Sequence, residues 1–270
     1  MYCIFVLTVL IAWLKIKKIT PINPTITKIS VLIPVRNEAA NIENLLTDLN
    51  QQNYPSSLFE VLVIDDASED ETTSLVKRFI PKAKFSLQLI HLLPTRERVT
   101  HKKDAITLGV THAKGELIAC TDGDCSVGKD WLSSLEAFYK QTNAKFISGA
   151  VSFHTPNTFF EIFQCIEFAS LIGTGAAFMQ LKAGNMCNGA NLAYPKHVFE
   201  EVGGYKNSPN IPSGDDEFLL QKIKQKYPND LYFLKAQEHH VKTYAHKKLS
   251  SFFQQRKRRS SKWNQHKDWR

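Results

Sequence analysis

Three pairs of acids stand out in this chain by position. Asp65 and Asp66 close the apolar run Glu60-Val-Leu-Val-Ile, and Asp122 and Asp124 follow the run Glu116-Leu-Ile-Ala-Cys-Thr. Carboxylates at the ends of two apolar runs are hard oxygen donors of the kind that hold magnesium or manganese, and such an ion in turn neutralises a diphosphate. Asp215 and Asp216 form the third pair, after a Pro/Ser/Gly loop and before a short helical pattern. One acid at a helix start is explained by the helix dipole; a second beside a sheet-edge site is better explained as a general base. His239, His240 and His246 read as surface or loop residues rather than metal ligands. Cys3, Cys120, Cys125, Cys165 and Cys187 are odd in number and scattered, which suits free thiols in a reducing compartment.

Positioning these groups requires a repeating frame. Ile29 to Pro34 reads as a buried strand, Asn41 caps a helical pattern through Leu49, Glu60 to Asp65 is a second strand, and Ser68 to Phe79 a second helix. A weak strand around Leu87 to Leu92, a helix over Lys103 to Ala113 and the strand Glu116 to Thr121 continue the alternation. This βαβα order predicts a mostly parallel sheet flanked by helices, with ligands at the carboxyl ends of its strands. Beyond it, Lys145 to Phe153 reads as one strand, Thr158 to Gln180 as an apolar helical stretch interrupted by Gly173 and Gly175, and Phe218 to Lys226 as a short helix.

The 270 residues are 43% apolar and 22% charged, an ordinary globular composition that excludes intrinsic disorder. The net charge of +8 is unevenly spread: the 36 residues from Lys235 carry 11 bases against 2 acids, and the remaining 234 are nearly neutral. A confined basic tail suits a local anionic partner, phosphate or lipid head-groups, and not a general nucleic-acid face. At the other end Tyr2 to Leu14 is apolar except for Thr8 and is followed by Lys15, Lys17 and Lys18. Thirteen residues of helix rise about 20 Å against a hydrocarbon core of about 30 Å. The segment therefore reads as an interfacial anchor, a signal-like segment or the remnant of a transmembrane helix, and its lysines favour the cytoplasmic face of the membrane. The expected organisation is an apolar anchor or truncated transmembrane segment over 1–19, one α/β domain over 27–245 and a basic amphipathic tail over 246–270.

Taken together, Val31-Leu-Ile-Pro-Val-Arg-Asn-Glu38, Val63-Ile-Asp-Asp-Ala-Ser-Glu-Asp70, Lys102-Lys-Asp-Ala105, Thr121-Asp-Gly-Asp124, Gly189-Ala-Asn191, Asp215-Asp216-x-x-Leu219 and Gln255-Arg-Lys-Arg258 resemble family 2 glycosyltransferases. The resemblance implies an α/β fold of the GT-A nucleotide-diphospho-sugar type, an inverting mechanism and a divalent metal, Mg or Mn. It implies a nucleotide-diphospho-sugar donor and a saccharide or lipid-linked acceptor, in polysaccharide or glycolipid synthesis. Carried over residue by residue, Pro34, Arg36 and Glu38 would line the nucleoside pocket, with Asp66 on the base and Lys103 nearby. Asp122 would meet the ribose or the metal, Asp124 would bind the metal, and Asp216 would be the catalytic base beside Asp215. Gly189 to Asn191 would border the acceptor, and Gln255 and Arg258 would cover the diphosphate. Two positions depart from the pattern: Arg259 stands where the family has Trp, with Trp263 a turn later, and His101 replaces a small residue.

Two rivals follow from the same residues. A nucleotidyltransferase also needs a metal-binding acid at a sheet edge, but would carry a Gly/Arg-rich triphosphate loop where this chain has Pro34 to Glu38. A catalytically inactive nucleotide-sugar-binding module would keep the fold, and the intact Asp66, Asp124 and Asp216 weigh against it.

Overall fold

The computed structural model describes residues 1–17, 27–93, 101–206 and 214–260, with side chains through Lys257. The strands β1 (Ile29–Val35) and β2 (Phe59–Asp65) are buried along nearly their whole length, as their continuous apolar runs require of central strands covered on both faces. They pair in parallel from Ile29–Phe59 to Val35–Asp65. Outside β2 lies β3 (Ser86–His91), and on the other side of β1 lies β4 (Leu117–Cys120), both parallel. Among the described residues this sheet has seven strands in the order β3-β2-β1-β4-β8-β6-β9, where β6 is Phe146–Gly149, β8 Leu192–Pro195 and β9 Leu231–Leu234. Only β8 runs antiparallel to its neighbours. A smaller sheet joins β5 (Ser126–Val127), β10 (Val241–Thr243) and β7 (Val151–Phe153), with β10 in the middle.

Alternate residues of each strand feed separate cores. Val31, Ile33 and Val35 pack with α2 (Ile42–Asn50), α3 (Thr72–Phe79) and α5 (Trp131–Thr142). Leu32, Leu62 and Ile64 pack on the opposite face with α4 (His101–His112), α7 (Lys196–Glu201) and α8 (Asp215–Lys226). The long helix α6 (Phe159–Gln180) contributes Phe168 to the first core and Ala176 and Met179 to the second. The apolar α1 (Tyr2–Lys15) lies on α6, with the Phe5 and Phe178 rings 6.3 Å apart, while the basic α9 (Leu249–Ser260) meets α6 through Phe252 and Phe160.

Several expected boundaries move, each for a local reason. The segment read as one strand over Lys145 to Phe153 is two strands in different sheets. At the switch Gly149 donates its N–H to the Asn191 carbonyl (2.8 Å), and a Cβ there would stand 2.3 Å from the Asn191 amide. Helix α3 starts at Thr72 rather than Ser68, because Asp70 folds back to accept from Thr72 N (3.0 Å) and Ala39 N (3.1 Å). Helix α8 begins at Asp215, directly after Gly214 in a left-handed conformation (φ +88°). Helix α6 is continuous through Gly173 and Gly175, and opens with a capping box between Thr158 and Glu161.

Candidate active site

The carboxyl ends of β1, β2 and β4 open onto a cavity of about 580 Å³. The loops after β1 and β2 are stitched to each other. Asn37, at φ +59°, donates its N–H to Ser68 Oγ (3.0 Å) and accepts from Glu69 N on its side chain (2.8 Å), while Glu38 N donates to Thr72 Oγ1 (2.8 Å). This clasp fixes Pro34, Arg36 and Glu38 along the cavity wall. Asp66 faces the same space, 2.8 Å from His101 Nδ1 and 3.8 Å from the Arg36 guanidinium. Asp65 points elsewhere, accepting from Ser68 N (3.2 Å) and sitting 3.3 Å from His91 Nδ1, so it shapes the loop.

Asp122 and Asp124 line the cavity beside the clasp, separated by Gly123, where an added Cβ would lie 2.9 Å from both Val35 and Glu38. Asp124 accepts from Thr243 Oγ1 (3.0 Å) on β10. Burial, with the charge of Asp122 next, holds the Asp124 carboxyl above its ordinary value; burial also raises Glu38, and the charges of Asp124 and Asp122 add to it. Lys102 lies beside these acids, donating to Asp122 (2.6 Å) and lying 3.8 Å from Asp215. Although burial opposes its charge, those acids keep Lys102 protonated far beyond neutral pH.

Asp216 completes the cavity from α8. Its two oxygens accept from Gly189 N (3.0 Å) and Glu217 N (2.9 Å), which fixes the carboxylate where the residue lines the cavity. Lys102 and Asp215 approach Gly189 closely, and a Cβ there would meet their side-chain ends at 3.1 and 3.3 Å. Gln255 of α9 reaches the same cavity. A second cavity of about 420 Å³ adjoins it behind α8 and α6; the two share Asp216, Asn188 and Phe168.

Three expected residues are placed otherwise. Lys103 is buried over the Phe218 ring (4.6 Å) and does not line the cavity; the lysine that does is its neighbour Lys102. Asn191 is fully buried, accepting from Trp131 Nε1 (3.1 Å) and donating to the carbonyls of His239 (2.8 Å) and Ala150 (3.0 Å), so it holds the strand switch together. The Arg258 side chain and Trp263 lie outside the described residues. Of the histidines, His239 is buried and stacked on Trp131 with its pKa lowered to about 4, mainly by burial, whereas His246 lines the cavity. Lys102 and Thr243 are site residues to which the sequence motifs assign no role, and His101, a departure from the family pattern, lies against Asp66. The dipeptide Lys102-Lys103 carried the signal, but not the choice between them.

Among the described residues no three His, Cys, Asp or Glu side chains converge closely enough to hold a metal unaided. Magnesium-type ions are commonly held by one or two carboxylates together with substrate phosphates. Asp122 and Asp124 fit that mode, since the burial and mutual repulsion that raise Asp124 are relieved by a cation beside them.

The glycosyl transferase family 2 model matches residues 30–203, more than half of the chain and all of the clasp, the Asp122/Asp124 wall and Gly189. The chain belongs to that family. The glycosyltransferase AglE of Haloferax volcanii is 31% identical over 196 residues, covering 71% of this chain and 60% of AglE. The chain thus spans about 60% of that relative's length. The fold is that of the mannosyltransferase PcManGT from Pyrobaculum calidifontis, solved in complex with GDP-Man and Mn2+: the TM-score is 0.68 at 23% identity, over 94% of this chain and 68% of that one. Staphylococcus aureus TarS in complex with UDP-GlcNAc superposes with a TM-score of 0.59 at 20% identity, over 83% and 61%.

Proposed function

We propose that this chain is an inverting, metal-dependent glycosyltransferase that moves a sugar from a nucleotide-diphospho-sugar to an acceptor hydroxyl. The observation that carries this reading is the placement of Asp122 and Asp124 on one wall of a cavity and Asp216 on another, with Lys102 between them. Inversion needs a base on one side of the anomeric carbon and charge stabilisation on the other. Asp216 removes the proton of the acceptor hydroxyl as its oxygen bonds to the anomeric carbon. The bond from that carbon to the diphosphate breaks in the same step, and its electrons leave with the nucleoside diphosphate. Lys102 stands where its ammonium can meet the departing phosphate. Asp122 and Asp124 would hold Mg or Mn, which when bound neutralises charge on the diphosphate. Asp66, an acceptor only when ionised, suits a base edge that donates N–H, as guanine and uracil both do; GDP-Man and UDP-GlcNAc are the nucleotide sugars bound in the two solved structures.

The setting we infer is the cytoplasmic face of a membrane, in polysaccharide or glycolipid synthesis. Supporting it, α1 exposes Ile4, Phe5, Leu7, Leu10 and Ile11, and α6 is long and apolar enough to cross a bilayer, with a third of its apolar window buried in the protein. The test of the chemistry is Asp216→Asn, assayed by nucleoside diphosphate release over a panel of nucleotide sugars with Mn2+. Donor affinity should hold while turnover falls roughly 10²-fold or more. A loss of donor affinity with turnover intact would make Asp216 a binding group and move the base to Asp215.

A further inference from the structure

The second cavity has a composition unlike the first. Leu171, Ile172, Gly175 and Ala176 of α6 form one wall, and Met186 and Phe233 extend the apolar lining. Set into it are the carboxylates of Asp216, Glu217 and Glu167, against one cation, Arg256 of α9. Arg256 is held by an ion pair with Glu167 and lies 4.7 Å over the Phe252 ring, yet its Nε is buried and finds no acceptor among the described residues. A buried N–H without an acceptor is costly, about 1–3 kcal/mol, so the Arg256 head is held at this cavity by its ion pair and its ring contact rather than by a full set of hydrogen bonds. Successive residues of α9 therefore serve two cavities, Gln255 the first and Arg256 the second.

We propose that the second cavity is the acceptor site, and that its acceptor is an uncharged, hydroxyl-bearing head on an apolar body. This rests on the glycosyl-transfer reading, because the shared Asp216 is what brings an acceptor hydroxyl to the first cavity. Three carboxylates to one guanidinium leave the lining acidic, which repels a phosphate and accepts hydrogen bonds from hydroxyls. The apolar α6 wall gains by covering an alkyl segment, about 0.8 kcal/mol per buried CH₂. A free sugar would leave that wall wet.

The probes are octyl glucoside below its micelle concentration, glucose, and octyl phosphate, titrated against the full chain saturated with nucleoside diphosphate and Mn2+. Octyl glucoside should bind at least about tenfold more tightly than either of the others. Arg256→Ala and Leu171→Trp, which fills the cavity from α6, should each weaken octyl glucoside at least about tenfold and leave nucleoside diphosphate binding unchanged. Equal binding of glucose, tighter binding of octyl phosphate, or wild-type affinity in both variants would overturn the proposal. Absence of nucleotide binding in the wild type would instead overturn the glycosyl-transfer reading, and octyl glucoside binding is measured separately from it.

Discussion

Asp124 shows how a site group sets itself against the fold that holds it. Because burial raises its pKa, the folded protein binds that proton more tightly than the unfolded chain does. The stability linked to it is present at low pH and is lost as pH climbs through the raised value. Asp124→Asn removes the charge but leaves an oxygen for Thr243. In the metal-free protein it should raise the urea midpoint at pH 7, with the gain vanishing in acid, while Mn2+-dependent nucleotide binding disappears. An unchanged midpoint across pH would show that the ionised carboxylate is not a burden on the fold. Acids such as Asp66, Asp122, Asp124 and Asp216 were legible in the sequence because strand ends and helix starts are local features. Lys102 and Lys103 were not separable, since one step along a helix turns a side chain by about 100° and only packing decides which faces the cavity. Arg256 was hidden for a similar reason: the motif there draws the eye to Gln255 and Arg258, and the partner that fixes Arg256 is Glu167, 89 residues earlier.

Long or strongly periodic elements announced themselves, whereas those that depend on distant partners did not. The continuous apolar runs of β1 and β2 required burial on both faces. The helix α5 carries a comparable signal in Trp131, Leu132, Leu135 and Phe138 at three and four residue steps. The strands β8, β9 and β10 are three or four residues long and exist through pairing with segments far away in sequence. Glycine was the weakest signal, because its meaning lies in what surrounds it. At Gly173 of α6 a Cβ would meet nothing within 4 Å, whereas at Gly109 of α4 it would lie 3.0 Å from Ile64 and 3.1 Å from Leu32. Gly173→Ala should therefore stabilise by about 0.5–1 kcal/mol through helix propensity. Gly109→Ala should destabilise by about 1–3 kcal/mol through overpacking. Denaturant titration of both checks them, and a common sign would refute the steric distinction.

At the scale of the whole molecule, the nearly neutral body is flanked by an apolar α1 and a basic α9, each resting on α6. Basic groups near an anionic surface contribute about 1 kcal/mol each and are screened by salt, whereas insertion of an apolar helix is not. The full chain should stay with anionic vesicles in high salt in a flotation assay, and a version starting at Thr27 should bind only at low salt. Recovery of the full chain in the soluble fraction under both conditions would refute attachment through α1. The two sheets carry a different consequence. Asp122 and Asp124 hang from a seven-stranded sheet buried on both faces, but Thr243, Tyr244 and His246 hang from a sheet whose strands are two or three residues long. So small a sheet opens at far lower free energy than the large one. Backbone amides of Val241 to Thr243 should exchange with deuterium through local opening, and those of Val31 to Ile33 only when the whole chain unfolds. One wall of the site is thus rigid and the other yields, and the hydrogen bond from Thr243 to Asp124 is the latch between them.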